Sequence, residues 1–157
     1  MSENSQRIAA RIAEIIRTRP AAWDQEVWLK LDAGHGGDVA SMRADLDAGD
    51  GSCGTTACVA GWAAILNAPE NAKAAPPQYW LIRRLVMPDG TAAEIKRLGQ
   101  AALEIDGRVM SWLFADYRTR DQVLTALDSL AAGRRPELSG DDGDDEFDDD
   151  GEIFEDA

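Results

Sequence analysis

This 157-residue chain predicts an all-α domain, a compact bundle of about six short helices followed by a disordered acidic tail. Apolar residues recur at helical spacing in most segments, and the connections between them are short and marked by Pro or Gly. The charge is the third indication. The net charge is −13, yet twelve of the 29 carboxylates lie between Glu137 and Ala157, a stretch without Lys or Arg. The rest of the chain holds seventeen acids against all 16 bases, a net of −1. The acidity is therefore a tail on a neutral body, which divides the chain into a helical domain over 1–136 and a tail over 137–157. A body of this length buries a substantial core.

The first helix follows Ser5, which can cap it, and Ile8, Ile12, Ile15 and Ile16 form its apolar stripe up to Pro20. From Trp23 to Leu46 the pattern is neither helical nor alternating, and Gly34-His35-Gly36-Gly37 is a turn. A helix is expected to start within two residues of Thr55, with Thr55 or Thr56 as its cap. It runs to Asn67 and inserts Cys58, Trp62, Ile65 and Leu66 into the core. Gly61 inside that helix costs about 1 kcal/mol relative to Ala, which predicts a close helix–helix approach there.

Tyr79 to Met87 reads as helical, with Leu81/Leu85 and Ile82/Val86 one turn apart, ending at Pro88-Asp89-Gly90. Thr91 and Glu94 have capping-box spacing for the next helix. A short helix over Val109–Phe114 and a last one from Thr119 to Gly133 complete the bundle. Beyond Pro136, like-charge repulsion and sparse apolar residues predict disorder.

No run approaches the ~18–20 apolar residues of a membrane span. The opening Met-Ser-Glu-Asn-Ser-Gln-Arg has no apolar core of a signal peptide. Two cysteines without an export signal suit a reducing compartment, so the expectation is a cytoplasmic protein of a bacterial host with no membrane association. Scattered bases and a phosphate-repelling tail argue against direct nucleic-acid binding. The glycine turn lacks the Lys-Ser/Thr of a phosphate loop, so no cofactor is expected. Asp141-Asp142-Gly143-Asp144 places glycine where a calcium loop needs a ligand. Cys53, Cys58 and His35 lack the second cysteine pair of a structural zinc site, so no metal is expected either.

Two functional readings attach to named residues. Cys53 just ahead of a helix N-terminus would sit among free backbone N–H groups, and His35 could act as its base with Asp32 or Asp38 orienting the ring. Nothing in the spacing obliges these residues to meet. The other reading is a binding protein. Trp23 and Trp28, in the irregular region, would belong to a binding surface. Asp144, Asp145, Phe147, Asp148 and Phe154 of the tail would occupy a basic surface of a partner, including one built for nucleic acid.

The box Cys53-Gly54-Thr55-Thr56-Ala57-Cys58-Val59-Ala60-Gly61-Trp62-Ala63 resembles that of a group of small phage, plasmid and actinobacterial proteins with no assigned activity. In that group an aromatic segment precedes the box and a Leu-Phe element and final helix follow it. Trp28, Leu113-Phe114 and Gln122–Ala132 hold those places here. The resemblance implies a phage or mobile-element origin and transfers no catalytic residue. The function expected is that of a non-enzymatic accessory or regulatory protein binding a host or viral protein. A cysteine-dependent hydrolase or transferase using Cys53 with His35 is the alternative, and a virion structural component is a third.

Overall fold

The computed structural model describes residues 1–32, 35–47, 54–75 and 82–138. Among them, six α-helices are joined by two small antiparallel sheets, so the domain is helix-rich but not all-α.

Helix α1 (Glu3–Thr18) starts at Ser2, whose hydroxyl accepts the Ser5 N–H. Ser5, expected as the cap, is instead buried, with its own hydroxyl donating to the Ser2 carbonyl at 2.9 Å. The isoleucine stripe is buried as the spacing predicts and packs on α6 (Arg120–Ala131) and on α3 (Val59–Asn67). Helix α6 begins with a complete capping box between Thr119 and Gln122.

Helix α3 is the centre of the fold, buried on every side from Val59 to Ile65. Its Trp62 is fully buried and donates its indole N–H to the Ala22 carbonyl at 2.7 Å. Leu66, expected in the core, is only half-buried at the end of the helix. There Arg43 of α2 (Val39–Leu46) donates to the carbonyls of Ile65, Leu66 and Ala68, which have no partner within the helix.

The helix does not start near Thr55. Thr55–Ala57 is strand β2, paired antiparallel with β1 (Leu29–Leu31) in the register Leu29↔Ala57 and Leu31↔Thr55. The threonines cannot cap a helix while their backbone belongs to this ladder. Cys58, extended at φ −80 and ψ −174, is the N-cap residue.

The second sheet overturns two further helical expectations. Strands β3 (Lys73–Ala74), β4 (Arg84–Val86) and β5 (Ala92–Glu94) pair in that order, so Leu85 and Val86 lie on a strand; Tyr79, Trp80 and Leu81 fall outside the described residues. Thr91 does not cap a helix, because Asp89 accepts both its N–H at 2.9 Å and its hydroxyl at 2.7 Å. This turn, with Gly90 at φ +92, reverses the chain between β4 and β5. Helix α4 (Ile95–Leu103) then starts from Glu94. Helix α5 (Gly107–Leu113) is capped by Asp106, whose carboxylate also accepts from Arg135.

Two glycines record where backbones meet. A Cβ on Gly99 would lie 2.7 Å from the Ala60 carbonyl oxygen, so the close helix–helix approach is α4 on α3. At Gly61, where that approach was expected, a Cβ would sit 2.0 Å from the Trp28 carbonyl oxygen instead. Gly61 thus seats α3 against the segment leading into β1.

Candidate functional site

The residues that line a concavity beside the first sheet come from three places in the chain. Trp23 to Trp28 form an irregular stretch beside the first sheet, Cys58 caps α3, and Phe114 to Asp116 follow α5. Gln25 fastens two of these together. Its side chain is buried, its amide N–H groups donate to the Leu113 carbonyl at 2.8 Å and the Ala115 carbonyl at 3.1 Å, and its carbonyl oxygen accepts the Trp23 indole N–H at 3.1 Å. The third is joined by the Cys58 N–H, which donates to the Val27 carbonyl at 2.9 Å.

The result is a cleft of about 190 Å³. That is smaller than the ~300–1,000 Å³ of most small-molecule and cofactor sites and closer to the scale of one inserted side chain. Its aromatic walls are the half-buried Trp28 and the buried Phe114, their ring centroids 6.4 Å apart and their planes at 89°. Glu26 and Asp116, both exposed, supply carboxylates at its edge, and neither has an ion pair among the described residues. Tyr117, 66% exposed, stands next to Asp116.

Cys58 is 2% exposed beneath the cleft. Burial pushes its thiol up to about 11, and the nearby Asp24 carboxylate adds to that, whereas the Gly61 and Ala60 N–H groups at the helix start pull it down. Desolvation wins over the helix terminus here, so the thiol is neutral near pH 7 and behaves as a small apolar group.

The second polar cluster surrounds His35, whose side chain is 8% exposed. The Gly37 N–H donates to His35 Nδ1 at 2.9 Å, and Nε2 faces Asp45 Oδ2 at 3.0 Å. The network therefore assigns the Nε2–H tautomer. The buried Thr55 hydroxyl donates to the same Asp45 oxygen at 2.7 Å and lies 3.4 Å from Nε2. The orienting carboxylate is Asp45, not Asp32 or Asp38. Asp38 is instead the N-cap of α2, and hydrogen bonds from the Ser41 hydroxyl and N–H hold its carboxyl below the usual range. Asp32 meets His35 only through its backbone carbonyl, at 3.0 Å.

Cys53 lies outside the described residues, as do Asp144, Asp145, Phe147, Asp148 and Phe154. Among the described residues no three His, Cys, Asp or Glu side chains converge as metal ligands, and no helix is long and apolar enough to cross a membrane. Of the expected surface residues, Trp28 lines the cleft. Trp23 is not among the lining residues and meets the cleft through its hydrogen bond to Gln25.

Comparison with protein-family models, curated proteins and solved structures gives no significant match.

Gln25 and Asp116 carry no signal as site residues in the sequence, Asp45 carries only its spacing from His35, and Phe114 enters there only as the end of a short helix and through the Leu-Phe resemblance. An Asp ten residues after the single His was the one available signal for the Asp45 pair, because it falls on the helix that the glycine turn leads into.

Proposed function

We propose that the protein is a non-enzymatic accessory or regulatory protein of a phage or mobile element. In this reading it binds a host or viral protein in the bacterial cytoplasm through the Trp28–Phe114 cleft. Its acidic tail would add charge attraction to a basic surface of the same partner. The observation that carries the reading is the half-buried Trp28 set edge-to-face with Phe114 in a side-chain-sized cleft, with two carboxylates at its edge that have no ion pair among the described residues. Pockets of this kind, with an aromatic centre and a polar rim, are where protein interfaces concentrate their energy.

The phage or mobile-element setting rests on the resemblance alone. Its three marks meet at this cleft: Trp28 from the aromatic segment, Cys58 from the cysteine box and Phe114 from the Leu-Phe element. The hydrolase reading has less support. A base must have a nitrogen free to take a proton, and His35 Nδ1 already accepts from Gly37 while Nε2 faces Asp45.

Affinity capture from the native host tests the reading. The wild type should retain a specific protein that Trp28→Ala releases, with the variant's circular dichroism unchanged. Equal recovery by both proteins would move the binding surface away from the cleft.

A further inference from the structure

The chemistry of the cleft selects its occupant more narrowly than a protein partner in general. We infer that the cleft receives the guanidinium of an arginine from a basic segment of the partner, a conclusion that rests on the cleft being the docking site. Three properties of the site point to a flat cation.

The first is shape. Trp28 is half-buried against its edge-to-face partner Phe114 and lines the cleft, so a planar group entering there meets an aromatic ring on which it can stack. Aromatic faces attract cations through the ring quadrupole, and guanidinium, being planar and weakly hydrated, stacks on them more readily than ammonium does. The second is charge. Glu26 and Asp116 line the same cleft without an ion-pair partner among the described residues, and the Asp24 carboxylate is close enough to act on Cys58. The Asp24 carboxylate is itself turned onto the Glu26 N–H at 3.0 Å, which leaves Glu26 and Asp116 as the two acceptors for an incoming fork of N–H donors. The third is the floor. Cys58 is neutral and buried, so the base of the cleft matches the aliphatic stem of a long side chain and offers no competing cation.

The whole chain adds to this at longer range. A protein of net charge −13 draws a basic segment toward itself before any contact forms.

Titration of the full-length protein with capped Gly-Arg-Gly, followed through the Trp28 indole N–H resonance, tests the inference against capped peptides carrying citrulline, lysine or norleucine instead. Citrulline keeps the shape of arginine and removes its charge. The expected result is that the arginine peptide shifts the Trp28 resonance at about tenfold lower concentration than citrulline or norleucine, with lysine between them. The double variant Glu26→Gln/Asp116→Asn changes only exposed side chains. It should bring arginine and citrulline to equal affinity. Equal binding of arginine and citrulline by the wild type would overturn the inference, and so would a lysine peptide binding more tightly than arginine. An arginine effect that survives the double variant unchanged would overturn it as well.

These outcomes separate from those of the capture experiment. Capture that depends on Trp28, with no preference for arginine, keeps the docking site and discards its proposed occupant. Arginine selectivity with Trp28-independent capture keeps the cation site and discards its part in partner binding.

Discussion

At the level of single residues, competing effects at Cys58 and His35 are resolved by burial and by hydrogen-bond occupancy. Cys58 has the helix-terminal position that activates thiols, but desolvation outweighs it and the pKa stands at about 11. Iodoacetamide at pH 8 should therefore leave Cys58 unmodified in the folded protein and modify it after denaturation, as peptide mass spectrometry would show. A folded pKa above the ordinary thiol value of 9.0 has a definite sign for stability. Its contribution is fully present below the unfolded pKa and is lost as pH rises through the window from about 9 to about 11. Cys58→Ala should flatten that alkaline loss in urea unfolding measured across pH. Around His35, Asp45 accepts from both the imidazole and the Thr55 hydroxyl. Asp45→Ala removes the shared acceptor and should cost about 2 kcal/mol in urea unfolding, whereas the exposed Asp32→Ala should stay within about 0.5 kcal/mol.

Among the elements, the differences from the predicted helices have local causes. Asp89 takes the N–H and the hydroxyl that would have made Thr91 a helix cap, so the chain from Arg84 to Glu94 closes as a hairpin. Thr55 and Thr56 join a strand because Leu29–Leu31 offers them a ladder, and α3 starts three residues later than a Thr55 cap, or two later than a Thr56 cap, would set it. The glycines allow a sharp test. A Cβ at Gly61 would stand 2.0 Å from the Trp28 carbonyl oxygen, whereas one at Gly107 meets nothing within 4 Å. Gly61→Ala should destabilise by about 3 kcal/mol or more, because neither backbone can retreat. Gly107→Ala, in the first turn of α5, should be neutral or stabilising by up to about 1 kcal/mol. Trp62→Ala empties the site at the centre of α3 and should cost about 3–5 kcal/mol by thermal or urea unfolding.

For the whole molecule, charge and core are separate properties. Pro136 is buried and Leu138 packs against the core, so the packed domain extends two residues beyond the boundary drawn at 136. Truncation before Ser139 removes eleven carboxylates and none of these contacts. It should change stability by no more than about 0.5 kcal/mol, while weakening partner binding at low salt if the tail contributes charge attraction. Acid should act on the body instead. The carboxyls of Asp38, Asp89 and Glu104 are held low by hydrogen bonds from Ser41, Thr91 and Ser2, respectively. Partial burial raises Asp106, but the Val109 N–H and Arg135 outweigh it and leave its carboxyl low as well. Depressed carboxyl pKa values stabilise above the unfolded value and lose that stabilisation as pH falls through the folded one. The unfolding midpoint should hence drop below about pH 4 in the truncated protein as in the intact one.

The sequence by itself determined the parts whose signal is periodic or compositional. These are the isoleucine stripe of α1, the start of the last helix at Thr119, the buried Trp62 and the confinement of charge to one end. Each depends on neighbours within about two turns, or on no neighbours at all. Tertiary structure alone decided the sheets, because strands of two or three residues are too short for a periodic signature and exist only through their partners. It alone decided the candidate site too. Gln25 reaches carbonyls 88 and 90 residues away, and Trp28 meets Phe114 through that clamp, across a separation that no local pattern records.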